Sequence, residues 1–391
     1  MTSSFNPPLR HLMGPGPSDV HSRVLAAMAR PTIGHLDPAF VEMMEEIKDM
    51  LRYAFRTENE LTIPVSGPGS VGMESCFVNL IEPGDTVIVC QNGAFGGRMK
   101  ENVERVGAMP VMVEDDWGKA VDLQKAADAL KANPGAKAVA FVHAETSTGV
   151  QSDAAALCAL AAEHNALSIV DCVTSLGGTP VLTDEWGADA VYSGSQKCLS
   201  CMPGISPLTI STRAAEVVRS RNKKGQSWFM DLTLVMGYWG EGASRVYHHT
   251  APINPLYGLH ESLVILQEEG IEAAWARHAA MHRALRAGVE AMGLEFLVAE
   301  DARLPQLNTI CVPEDVDEAA VRSFLLSRYD LEVGAGLGAL AGKVWRVGLM
   351  GHSARAENVF LFLTAMEDAL SRQGTKIEAG AALPAAQAAL G

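Results

Sequence analysis

In VYSGSQKCL, residues 191–199, the cation of Lys197 follows an apolar strand-like run and a Ser-Gly-Ser turn. An unpaired buried ammonium is costly, so such a lysine reaches water, finds a partner or gives up its charge. Asp171 closes a second apolar run, LSIVD, where an uncompensated carboxylate is equally expensive. A helix cap, a buried salt bridge or a cationic ligand atom would each account for it. SGPGSVGMES (66–75) sets glycines ahead of a helix start, a place where backbone N–H groups hold phosphates, and also an ordinary tight turn. Phe95 in GAFGGR either stacks on a flat ring or fills a core. HAETSTG (143–149) offers hydroxyls at Thr146, Ser147 and Thr148, as a capping cluster also would. Together these residues place a phosphate cradle, a ring, a hydroxyl, a carboxylate and a lysine on one edge of one sheet. Pyridoxal phosphate needs that set: a lysine for its aldehyde, an anion for its ring nitrogen, a donor for its 3-oxygen and N–H groups for its phosphate. A covalent imine in place of the ammonium would let Lys197 be buried.

A sheet must bring these positions together. From Leu61 the chain alternates LTIPVSG, a helical VGMESCFVNLI, TVIVCQNG, AVAFVHAET, a helical DAAALCALAAEHN, LSIVDCV, AVYSGS and SPLTIST. Short apolar strands separated by helices predict an α/β fold with a mostly parallel sheet covered on both faces. Ligands of such sheets sit at the carboxyl ends of the strands, where Ser66, Asn92, Glu145, Asp171 and Lys197 all fall. A long helical stretch from about Gly258 leads to LPQLNTICVPE, DEAAVRSFLLSRY, LEVGAG, KVWRVGL and a last helix ENVFLFLTAMEDAL, which read as a smaller C-terminal α+β domain. The expected division is an N-terminal arm over 1–18, a large domain over 19–270 and a small domain over 271–391. The Ala-rich tail from about Glu378 reads as low complexity.

The 391 residues are 48% hydrophobic and 20% charged, a globular composition large enough for two domains. No apolar run approaches the ~20 residues that cross a bilayer. A net charge of −15 argues against nucleic acid or an anionic membrane as partner and leaves room for a small anion in a local cationic pocket. Neither end of the sequence shows a targeting signal, so a cytoplasmic location is expected. Seven cysteines, with one CxxC formed by Cys198 and Cys201, fit packed thiols in a reducing compartment better than a zinc site, and no metal is expected.

GPGPS (14–18), SGPGS, NGAFGGR, HAETSTGV, DCVTSLGGTP, YSGSQK, YHHT (247–250) and GKVWRVGLMG (342–351) carry a resemblance over nearly the whole chain. The sequence resembles the class V, fold-type I aminotransferases, most closely the alanine–glyoxylate and serine–glyoxylate (serine–pyruvate) group. The resemblance implies the PLP-dependent transferase fold type I and a homodimer with active sites at the subunit interface. It makes Lys197 the lysine that joins pyridoxal phosphate, Asp171 the partner of the ring nitrogen, Val173 and Phe95 the two ring faces and Thr146 the donor to the 3-oxygen. Gly69, Ser70 and Gln196 would contact the phosphate, with Tyr247 and Thr250 reaching in from a second subunit. Phe95 replaces the tryptophan often found there. Arg346 would clamp the substrate carboxylate with a planar two-pronged fork, with His35 and Gly16 also on the substrate side.

The substrates implied are small amino acids and 2-oxo acids: alanine or serine would give its amino group to glyoxylate, yielding glycine and pyruvate or hydroxypyruvate. Two other activities compete. LAGKVWRVG through IEAGAAL looks like (S)-ureidoglycine–glyoxylate aminotransferases, and EAAWARHAAMHRALRAGVEAMGL looks like pyridoxamine–pyruvate aminotransferase. Ureidoglycine enzymes typically carry Asn for the tyrosine of YHHT and Gln for the histidine of GHLDPAF. Tyr247 and His35 therefore favour a small donor. A cysteine desulfurase would need a nucleophilic cysteine that DLEVGAGLGALAGK lacks, and a cofactor-binding regulator would need an added DNA-binding domain.

Overall fold

Apolar, β-branched runs form the central sheet, in the order Leu61–Ser66, Ile205–Ile210, Ala190–Tyr192, Leu167–Asp171, Ala138–Val142, Thr86–Gln91, Met109–Glu114. The computed structural model describes residues 2–221, 223–240 and 245–391; Met1, at the head of the expected arm, lies outside them. Ile205–Ile210 runs antiparallel to both neighbours, and every other pairing in the sheet is parallel. The sheet is thus mostly parallel, as its alternation with helices requires. Its one reversed strand has the same apolar composition as the rest, because both faces of the sheet are covered.

The parallel strands end on one edge. Helix Gly69–Leu80 starts just beyond Ser66, and helix Ala94–Arg105 just beyond Gln91. Asp171 is the last residue of its strand, and Lys197 lies in the loop after Ala190–Tyr192. The helical stretch expected from about Gly258 begins at Ile253 and is two helices, Ile253–Glu269 and Ile271–Ala291. They break at Gly270, whose φ of +85° a residue with a Cβ rarely adopts.

A three-stranded antiparallel sheet, in the order Leu307–Cys311, Val344–Gly348, Gly334–Ala335, packs with helices Glu318–Tyr329 and Ala356–Arg372 around a second hydrophobic core. Met13 belongs to that second core, and strand His11–Leu12 pairs with Leu331–Glu332. The N-terminal segment is therefore fastened to the C-terminal part before it crosses toward the central sheet. The Ala-rich tail corrects its sequence reading. It forms helix Ala382–Leu390 with Ala382 and Ala386 fully buried, because alanine is the strongest helix former and fits a close helix–helix approach. Gly288 on helix Ile271–Ala291 makes the room: a Cβ there would collide with Leu363 and lie 3.1 Å from Ala382 O.

Candidate active site

Lys197 is 8% exposed, and its amine donates to the carbonyl of Pro15. The crossing segment holds it in place. Ser18 Oγ donates to Lys197 O at 2.8 Å, and Ser18 N donates to Gln196 O at 3.0 Å. Gly16, at φ +107°, lies so close that a Cβ would sit 2.5 Å from Lys197 Nζ. Burial, and then the positive charge of Arg346, pull the amine down to about 8. About a tenth to a fifth of it is therefore neutral near physiological pH, far more than for an ordinary lysine, and that is the form that attacks a carbonyl or takes a proton.

Asp171 is 2% exposed, and burial pushes its carboxyl up to about 7. Val173 N donates to Oδ1 at 2.8 Å and Tyr192 Oη donates to Oδ2 at 2.8 Å. The tyrosine was not legible as a site residue, since a tyrosine closing an apolar strand reads as core. Glu145 is fully buried and binds only donors: Ser147 N at 3.0 Å, Ser147 Oγ at 2.6 Å and Phe95 N at 3.2 Å. With Ser147 Oγ accepting from Ala94 N at 2.9 Å, these two side chains cap helix Ala94–Arg105 and seat Phe95. The ring of Phe95 also carries the Arg98 guanidinium, 4.6 Å from its centroid.

Helix Gly69–Leu80 begins without a side-chain cap, so its first N–H groups are free to bind an anion. Gly69 is buried against Val173, whose Cγ2 would lie 3.1 Å from an added Cβ, while Ser70 is exposed. Gln196 Oε1 is buried with no hydrogen-bond partner. Because the amide ends interchange on a half turn, this position can present N–H to a phosphate. Thr146 Oγ1 is hydrogen-bonded to Thr174 Oγ1, and Thr146 O accepts from Arg346 Nη1 at 3.0 Å. Arg346, from strand Val344–Gly348, is 6% exposed and also donates from Nε to Ala335 O at 2.7 Å. Burial draws it down to about 10, and its hydrogen bonds among the described residues go to carbonyls, leaving the charge without a bonded anion. An uncapped helix start, an orphaned amide, a buried carboxylate and two buried cations fit a phosphate-bearing ring and a substrate carboxylate.

The class-V aminotransferase family profile matches residues 18–359. The chain belongs to the class-V aminotransferases. Pyridoxal phosphate is accordingly its cofactor, and it is a transaminase. It is similar to the solved ureidoglycine–glyoxylate aminotransferase of Bacillus subtilis, at 39% identity with a TM-score of 0.96 over 99% of both chains. It is also similar to the solved alanine–glyoxylate aminotransferase of a Nostoc species, at 45% identity and a TM-score of 0.92 over 95% of this chain and 97% of that one. The alanine–glyoxylate aminotransferase of Drosophila melanogaster is 38% identical over 95% of each sequence. These likenesses show the fold-type I architecture.

Two residues expected at the cofactor phosphate of this aminotransferase face outward in the single chain. Tyr247 is 60% exposed and Thr250 is exposed. The histidines between them turn inward: His248 is buried, and His249 Nε2 lies 2.7 Å from Ser66 Oγ. His35 and Tyr247 meet with ring centroids 5.2 Å apart, and His35 Nδ1 is 3.1 Å from Tyr238 Oη. Cys198 and Cys201 are both free and buried. No helix among the described residues is long and apolar enough to cross a membrane.

Proposed function

We propose that this aminotransferase moves the amino group of alanine or serine to glyoxylate, in a dimer whose two sites share Tyr247 and Thr250. What supports the small-donor reading is the identity of two residues whose rings meet in the structure, Tyr247 and His35, which stand where ureidoglycine enzymes typically carry Asn and Gln. The exposure of Tyr247 and Thr250, on a segment anchored inward through His249, supports their reaching a second copy of the chain.

Pyridoxal phosphate, when bound, supplies a carbonyl that takes the amino group and a protonated ring that draws electrons from the donor's Cα. The helix start at Gly69 and Ser70, with Gln196, holds its phosphate. Asp171 presents the anion that keeps the ring nitrogen protonated. Val173 and Phe95 cover the ring faces, and the Thr146 hydroxyl serves the 3-oxygen. Arg346 grips the carboxylate of donor and acceptor in turn, trading its two carbonyl partners' weak pull for a full anion. Lys197, partly neutral with a pKa of about 8, would serve as the base that takes the proton at the donor's Cα and as the acid that gives it back.

The likeness to the Bacillus subtilis enzyme over 99% of the chain favours ureidoglycine as the second donor to consider. Turnover with alanine, serine, ureidoglycine and pyridoxamine, each paired with glyoxylate and pyruvate, separates the readings. A higher kcat/KM for alanine or serine than for ureidoglycine is expected. The reverse order would overturn the small-donor assignment and leave the aminotransferase reading intact.

A further inference from the structure

We propose that Tyr192 is a positioning residue for the cofactor-facing anion: its phenolic hydroxyl, donated to Oδ2 of Asp171, holds that carboxylate ionised and in one plane. The inference rests on the assignment of Asp171 to the ring nitrogen. Asp171 and Tyr192 are direct register partners on adjacent parallel strands, so their side chains share one face of the sheet. The hydroxyl lies 2.8 Å from Oδ2, while Val173 N takes Oδ1 at the same distance. One donor on each oxygen fixes the carboxylate's rotation, which a single contact would not.

The surroundings give this bond weight. Tyr192 is completely buried, and burial with the adjacent Asp171 charge pushes its phenol well above the usual range, so it stays protonated and donates. Around Asp171, Glu145 at the neighbouring strand end opposes its ionisation, and Lys197 favours it. Cys76 on helix Gly69–Leu80 and Cys172 next in sequence are thiols whose pKa burial raises, so both stay neutral. The two hydrogen bonds offset the desolvation of Asp171 most, ahead of the charge of Lys197. The one from Val173 is backbone and the same for any sequence; the one from Tyr192 depends on a single oxygen atom.

Tyr192→Phe removes that oxygen and keeps the ring in the core. Titrating apoprotein with pyridoxal phosphate should show the dissociation constant rise about 10- to 100-fold, the range for one hydrogen bond to an ionised group. The acid limb of both cofactor affinity and turnover should move to higher pH, because a carboxylate with one donor fewer is protonated more readily. A purely structural tyrosine would lower the melting temperature and leave that limb in place. Asp171→Asn, measured alongside, separates the failures. If Asp171→Asn weakens cofactor binding while Tyr192→Phe leaves affinity and acid limb as in the wild type, the role of Tyr192 is refuted and that of Asp171 stands. If Asp171→Asn binds cofactor normally, the ring-nitrogen assignment falls, and the inference with it.

Discussion

Replacing Gly16 by alanine should separate the position of the lysine amine from the stability of the fold. An added Cβ would lie 2.5, 2.8 and 2.9 Å from Nζ, Cδ and Cε of Lys197, and ordinary contact begins near 3.4 Å. The amine must therefore retreat by about 0.9 Å, which a flexible side chain does at little energetic cost. The backbone cost is separate, since φ +107° is strained for alanine by about 1–3 kcal/mol. A displacement of that size at a reacting centre lowers rates by about 10²-fold. Gly16→Ala should thus lose about two orders of magnitude in kcat while melting only a few degrees lower. Gly270→Ala is the control: its φ is +85° with nothing within 4 Å of the added Cβ, so it carries backbone strain without the clash. Steady-state kinetics and thermal melts of both variants decide the matter. Wild-type kcat in Gly16→Ala, or an equal kcat loss in Gly270→Ala, would show that Gly16 does not set the position of the amine.

Asp171→Asn should keep the fold and lose roughly 10²–10³ in kcat, the scale for one preorganised electrostatic stabiliser, and an unchanged kcat would make Asp171 structural. Arg346→Lys keeps the charge without the two-pronged fork, so single-turnover rates should saturate poorly with alanine and with glyoxylate. That corresponds to about 1.5–3 kcal/mol for each, with the resting spectrum preserved. Capture of pyridoxal phosphate by apoprotein should accelerate with pH in two stages. Burial raises Asp171, so its anion appears only above about 7, and burial lowers Lys197, so its neutral amine appears only above about 8. Stopped-flow absorbance across that range checks the sign, and capture that slows as pH rises would contradict it.

The chain's polar punctuation made much of the candidate site legible. Asp171 and Lys197 stand where apolar strands stop, and a charge placed there has to be explained. Arg346 was different. A strand arginine reads as a surface ion pair, and only the resemblance, and then its donation across to Thr146 O, gives it another place. Tyr192 gave no signal, because its hydroxyl matters only through the register that sets it beside Asp171. Glu145 was visible as a strand-end residue, but its seating of Phe95 arises from its short strand meeting the start of helix Ala94–Arg105 in space. The reversed strand Ile205–Ile210 was hidden for a simpler reason: burial on both faces erases the alternation that distinguishes strand environments. The helix Ala382–Leu390 was hidden because its alanines carry little hydrophobic contrast, and close packing does the rest.

Every role proposed at this site depends on Lys197 being the residue to which the cofactor is joined. Borohydride reduction of the cofactor-loaded protein, followed by peptide mass mapping, tests it directly. The expected result is one phosphopyridoxyl group per chain, on the peptide carrying Ser195-Gln196-Lys197, and none in Lys197→Ala. Label on another lysine, or undiminished label in Lys197→Ala, would contradict it.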